Sequence, residues 1–312
     1  MSKARLFATG LLILGSVFLV SLFAPVPAAH ADTISISPPK YELLGNPGDI
    51  VSEKLKVTNL GGSDATYNTT VQDFTASGEA GGVNLVDPNS PRTTYSLAKW
   101  VTIEPSSFTV PAGKEKIVNF TIHIPQNAEP GGHYASVIVE TAGAPVVGGG
   151  ASVVSHLNSL ILLTVSGKIT NNLALETFQT TQSFYQFGPV AFNFRTHNNG
   201  NVHEAPQGAV TITDTFGHKV AELPLPQANV LPSASRLVTF TWDKKNLVGR
   251  YTASLVATYG SGQTKTPLTA TTTFYVVPFY LVWTVVGVII LIILLIAQRK
   301  RFKKLLHAIT SD

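Results

Sequence analysis

The chain has 312 residues, 44% hydrophobic and 13% charged, with no cysteine and a formal net charge of +4. The charge resides at the ends. Residues 32–277 carry 15 Lys and Arg against 17 Asp and Glu, too balanced to track a phosphate backbone, so nucleic acid is excluded as a partner. Lack of cysteine excludes disulfide staples, thiol chemistry and a lipidated cysteine, and leaves apolar burial to hold any exported domain together.

In chain order, Lys3 and Arg5 form a basic start, Leu6 to Phe23 an apolar run, and Ala29-His30-Ala31 a small-x-small cleavage site. Residues 1–31 therefore read as a signal peptide, with the mature chain beginning at Asp32. An uncleaved N-terminal anchor is the open alternative.

From residue 32 to 277 the pattern is strand-like. Val118, Phe120, Ile122 and Ile124 alternate with Asn119, Thr121 and His123, and Leu55 and Val57 alternate with Lys54 and Lys56. Such period-2 runs, rich in Thr and Val and punctuated by Gly, Pro and Asn, predict half-buried strands. An internal repeat divides them. Val57-Thr58-Asn59-Leu60-Gly61 resembles Thr196-His197-Asn198-Asn199-Gly200. Val110-Pro111-Ala112-Gly113 answers Leu231-Pro232-Ser233-Ala234, and Gly132-His133-Tyr134 answers Gly249-Arg250-Tyr251. In each copy the tyrosine is expected to tie its hydroxyl to a nearby turn.

The predicted fold is all-β: two tandem immunoglobulin-like β-sandwiches, 32–169 and 170–277, plus one C-terminal transmembrane helix. The first sandwich carries two insertions. Thr75 to Thr94 is expected as a long surface loop, and Gly143 to Ala151 as a flexible glycine run. Leu160 to Val165 then needs a sheet to join, since left exposed it is a sticky edge. This places the domain boundary after that strand rather than within the glycine run.

Residues 278–297 contain no charge and span about 30 Å as a helix, the thickness of a hydrocarbon core. Tyr275, Phe279, Tyr280 and Trp283 sit at one end. Arg299, Lys300, Arg301, Lys303 and Lys304 sit at the other, in a basic tail of 298–312. The positive-inside bias makes these five membrane-orienting, with the tail cytoplasmic and the N-terminal bulk extracellular on a single-pass cell-membrane protein.

The layout resembles the WxL-interacting protein family of bacterial cell surfaces. The stretches that carry the resemblance are ISISPPKYELLGNPGD with Pro38-Pro39 and Gly48, Val57-Thr58-Asn59, the Phe108-to-Gly113 turn, and Pro130-Gly131-Gly132-His133-Tyr134; the glycine loop and the late apolar strand also match. It covers most of the chain in layout and specific residues only in the first sandwich; the second is shortened. Periplasmic chaperone-like sandwiches share part of the pattern. The resemblance implies a peptidoglycan-binding first sandwich, a second sandwich for surface protein partners, and a membrane tether.

No catalytic constellation stands out, and the chain is expected to be no enzyme and to need no cofactor. There is no G-x-S-x-G elbow. Gly148-Gly149-Gly150 lacks a following Lys-Ser/Thr. Carboxylates are isolated. His197 with His203, and Asp214 with His218, flank turns without metal-ligand spacing. Trp100 and Trp242 could stack on sugar rings, though a tryptophan on a sandwich strand is more often core. Tyr95, at the exit of the 75–94 segment, is the third weak ligand candidate, and that segment is the expected contact region. The function so read is passive binding at the cell surface, to peptidoglycan, to surface proteins or to both. The alternative is a structural or accessory subunit that binds only proteins.

Overall fold

A computed structural model describes residues 34–142, 155–260 and 265–309. The signal-peptide segment 1–31 and the glycine run 143–151 lie outside the described residues.

Ten strands build the first sandwich: β1 (Ile34–Ser37), β2 (Lys40–Gly45), β3 (Ile50–Asn59), β4 (Ala65–Ser77), β5 (Gly82–Leu85), β6 (Val101–Glu104), β7 (Ser107–Val110), β8 (Glu115–His123), β9 (Gly131–Thr141) and β10 (His156–Val165). One sheet runs β1-β3-β8-β6 and the other β2-β10-β9-β4, with β5 and β7 both pairing β4. Proline has no N–H to donate, and at Pro38-Pro39 the first strand changes sheets. β1 pairs antiparallel with β3, then β2 runs parallel to β10, Lys40 to Gly45 beside Leu160 to Val165. The late apolar strand thus lies between β2 and β9.

Eight strands build the second: β11 (Leu173–Thr180), β12 (Phe184–Tyr185), β13 (Val190–Asn198), β14 (Gln207–Thr213), β15 (Lys219–Pro224), β16 (Ser235–Trp242), β17 (Gly249–Tyr259) and β18 (Thr266–Val276). Its sheets run β11-β13-β16 and β12-β18-β17-β14-β15. The opening strand is again split, β11 pairing β13 and β12 running parallel to β18. The alternating positions become two cores. Leu55, Val57, Phe120, Ile122 and Leu163 fill the first; Phe192, Phe194, Leu255 and Phe274 fill the second. Each such fully buried side chain contributes about 1.5–3 kcal/mol.

The repeat is physical at its asparagines. Asn59 donates to the carbonyls of Ser63 and Val110 and accepts from the Gly61 N–H. Asn198 donates to those of Val202 and Val230 and accepts from the Gly200 N–H. Both are wholly buried. These bonds align Val110 with Val230, one residue from the alignment expected from sequence. Gly113 (φ 67°) then aligns with Ser233 (φ 59°), each holding the left-handed position of its turn.

The tyrosine match also slips by one. Gly131 and Gly249 both open their strands at positive φ, and they pair with Val165 and Val276 at the ends of the last strands. The counterpart of Tyr251 is therefore His133, not Tyr134. The Tyr251 hydroxyl does tie to a turn, donating to the Val248 carbonyl at 3.1 Å. His133 Nε2 bonds the Glu129 carbonyl at 2.9 Å in its place. Tyr134, one residue on, faces the opposite side of the sheet.

A single helix, α1 (Phe279–Ile309), follows. It continues past Ala297 through the basic segment, because Gln298 to Ala308 holds no Gly or Pro to stop it. Its Phe279–Arg299 part is long and apolar enough to cross a membrane, and none of that part is buried against protein. A helix apolar all round and uncovered by protein matches lipid rather than water.

Candidate functional site

The segment 75–94 is not the open loop its composition suggests. Thr75, Ala76 and Ser77 extend β4, and β5 returns against them, Phe74 opposite Leu85 and Ser77 opposite Gly82. Gly78 and Gly81 take positive φ in the tip, the freedom that a tight reversal needs. The hairpin reaches the second sandwich. Glu79 accepts from Arg195 Nε at 2.7 Å and Nη2 at 2.6 Å, a two-pronged pairing that fixes geometry as well as charge. Arg195 also bonds Glu176. The Arg195 contact holds the Glu79 carboxyl below its usual range. The Glu79 carbonyl accepts from the Leu237 N–H at 2.9 Å, covering part of β16, an edge strand of its sheet.

Beside this clamp lies a cleft of about 230 Å³ between the sandwiches. Phe74, Val83 and Leu162 line it from the first sandwich; Gln227, Asn229, Leu231 and Arg236 line it from the second. Arg236 lies so close to Gly81 that a Cβ there would fall 1.3 Å from Nη1. Its Nε is buried without a hydrogen-bond partner, and burial lowers the pKa of the guanidinium. An unpaired arginine in a part-apolar cleft favours an anionic group that brings its own acceptors. At the rim, Lys40 pairs with Glu42 at 2.6 Å and reaches Asn229, which donates to Glu42 at 2.8 Å.

Phe74 and Leu162 of the cleft lining form an apolar cluster with Tyr134, against which Leu231 of the second sandwich packs. The Tyr134 ring meets His203 edge-on, centroids 5.8 Å apart. Burial lowers His203 to about 4 and raises Glu204 to about 6. Glu204 is 3% exposed and accepts from the Gly260 N–H at 2.9 Å. Burial also raises the Tyr134 hydroxyl pKa. Asn201 knits the joint, donating to the carbonyls of Pro130 and Lys168 and accepting from the Gly132 N–H at its own carbonyl.

The residues singled out from sequence are not gathered here. Tyr95 is half-buried on the joint, its ring 6.2 Å from that of Tyr134, and it lines a second cavity of about 120 Å³ with Pro91, Leu231 and Pro232. Its position follows from the Tyr134 N–H donating to the Tyr95 carbonyl. Trp100 is half-buried in the first sandwich, its ring 4.5 Å from that of His133. Trp242 is 5% exposed in the second core, edge-on to Tyr251 and Phe274. Arg299 is exposed, and the backbone helix runs on through Lys300, Arg301, Lys303 and Lys304. Sequence reasoning missed Glu79, Arg195 and Arg236. The glycines framing Glu79 were the available signal for a hairpin; nothing marks Arg236 among the alternating residues of β16.

Other polar groups have structural tasks. Asp214 Oδ1 accepts from the backbone N–H of Phe216 and His218 to hold a turn. His197 Nδ1 meets Ser235 Oγ at 2.9 Å as a cross-strand pair. Among the described residues no carboxylate bonds the other nitrogen of His197, the third element a serine nucleophile needs. Nor is there, among the described residues, a group of three or more His, Asp or Glu able to hold a metal ion.

Residues 43–143 match the family described as Fn3-like domain. No curated protein matches the chain. Among solved structures, the class 5 fimbriae chaperone CfaA is 18% identical, covering 77% of this chain and 99% of its own with a TM-score of 0.41. The Salmonella enterica SafA pilin–SafB chaperone structure gives 11% identity, 78% and 98% coverage and a TM-score of 0.39. The E. coli chaperone DraB gives 11%, 76% and 98%, and 0.38. Over residues 43–143, then, the first sandwich is similar to an Fn3-like domain.

Proposed function

We propose that this chain is a membrane-anchored, non-catalytic binding protein of the cell exterior, and that the cleft between its sandwiches receives an anionic group of its partner. The observation that carries this is Arg236, unpaired and part-buried in a cleft braced by the Glu79–Arg195 clamp. A carboxylate supplies the acceptors that guanidinium lacks. Peptidoglycan stem peptides and acidic protein segments both present carboxylates, which keeps the resemblance to WxL-interacting proteins in view. The signal peptide is removed, α1 crosses the bilayer, and Arg299 to Lys304 hold its far end in the cytoplasm. Tethering raises the local concentration of partners, so each contact can be weak.

The test is sedimentation of the full-length protein, in nanodiscs, with purified cell wall. Enrichment that falls severalfold in Arg236→Gln, with unchanged melting, is expected. No enrichment over an unrelated membrane-anchored β-sandwich contradicts the wall reading. Recovery of a membrane protein in its place, also lost in Arg236→Gln, favours the accessory subunit.

A further inference from the structure

The end of the second sandwich from which α1 departs exposes an unusual set of side chains. Phe184 and Phe187 are each 66% exposed and Phe216 is 84% exposed. Scattered exposed apolar residues need no explanation, but three phenylalanines at one end do. The sheet's own bonding places them at the same end. Phe184 pairs with Tyr275 and stacks on it at 5.1 Å. Tyr275 pairs with Arg250, and the Arg250 carbonyl accepts from Thr215 Oγ1, next to Phe216. Phe187 precedes Gly188, whose N–H donates to the Lys245 carbonyl.

No linker separates this end from α1. The Val277 N–H is still bonded to the Tyr185 carbonyl, and the Leu281 N–H already bonds Pro278. Phe216 lies two strands from β18, about 10 Å across the sheet. From these contacts we infer that this end of the second sandwich is seated in the lipid headgroup layer, with Phe184, Phe187 and Phe216 inserted toward the acyl boundary. Exposed Lys244, Lys245 and Arg250 stand beside them to meet lipid phosphates. The acids at this end do not oppose that contact strongly. Glu222 is paired with Lys219, and Lys244, Lys245 and Arg250 outnumber the remaining two acids, Asp214 and Asp243. The sandwich pair then stands on the bilayer as a fixed post rather than swinging on a tether.

The inference rests on α1 spanning the membrane, and one experiment separates the two. The chain has no cysteine, so single nitroxide labels at Phe187→Cys, Phe216→Cys, Leu44→Cys and Ile292→Cys report one place each. They are read in full-length protein in phosphatidylcholine–phosphatidylglycerol nanodiscs by collision with oxygen against a water-soluble nickel chelate. The expected result is hydrocarbon depth at 292, headgroup depth at 187 and 216, and an aqueous signal at 44. Aqueous signals at 187 and 216, with 292 in hydrocarbon, overturn the seating alone. An aqueous signal at 292 overturns the spanning reading and the seating with it.

Discussion

The two sandwiches share most of a wiring diagram, the first adding β6 at one sheet edge, and close the same corner with different residues. In the second, Tyr251 anchors to the turn behind it; in the first, His133 occupies that place. A shorter ring at the corner still satisfies the turn, and the neighbouring tyrosine, Tyr134, lies on the other face at the joint with Phe74 and His203. The helix-side and joint-side surfaces thus differ by their side chains: phenylalanines beside α1, and a clamp with an unpaired arginine at the joint.

The shared part is most sharply broken at its asparagines. Asn59→Ala and Asn198→Ala each strand two carbonyls and one N–H, and each should cost about 3 kcal/mol. Denaturant unfolding checks this. A large loss at one position with none at the other would show that the two turns are not equivalent.

The joint should respond to pH through two buried groups. His203 is held at about 4 against an ordinary 6.5, so between these values the unfolded chain takes up a proton that the folded chain refuses. Stability therefore rises with pH through that window. Glu204 is pushed up to about 6. From its ordinary 4.5 to 6 the folded chain keeps the proton, and stability falls as pH rises. The larger displacement belongs to His203, so acid below pH 6.5 should be destabilising overall. Melting temperature against pH should lose its acid limb in His203→Gln and gain stability above pH 6 in Glu204→Gln. An unchanged acid limb in His203→Gln would remove the histidine from the account.

The corner itself offers the smallest effect. Tyr251→Phe forfeits the hydroxyl bonds to Val248 and should cost about 1 kcal/mol by the same unfolding measurement. Tyr134→Phe, at the residue that sequence pairs with it, loses no turn contact and should cost less. Equal costs would argue against the one-residue shift between the copies.

That shift shows what was legible in the chain and what was not. Alternation from Val118 to Ile124 fixed a strand and its buried face, and the buried asparagines marked a repeated turn. The apolar 278–297 run announced its helix. Period 2 is unforgiving, however. Matching Gly132 rather than Gly131 to Gly249 exchanges core for surface and put Tyr134 in the role that His133 plays. The hairpin around Glu79 was hidden because Gly, Ser and Ala give no alternation, and its partner Arg195 is 116 residues away. Arg236 carries no local signal, since its meaning arises only when Gly81 of the other sandwich lies against it. The helix ran past its expected end because charge stops a membrane span but does not stop a helix.

Whether both sandwiches stand outside a membrane on one C-terminal stem is decided by protease added to intact cells. The expected result is loss of the epitope on the sandwiches while a tag after residue 312 survives on a short membrane-bound fragment. Sandwiches that resist until the cells are lysed, or a C-terminal tag cleaved from outside, would contradict it.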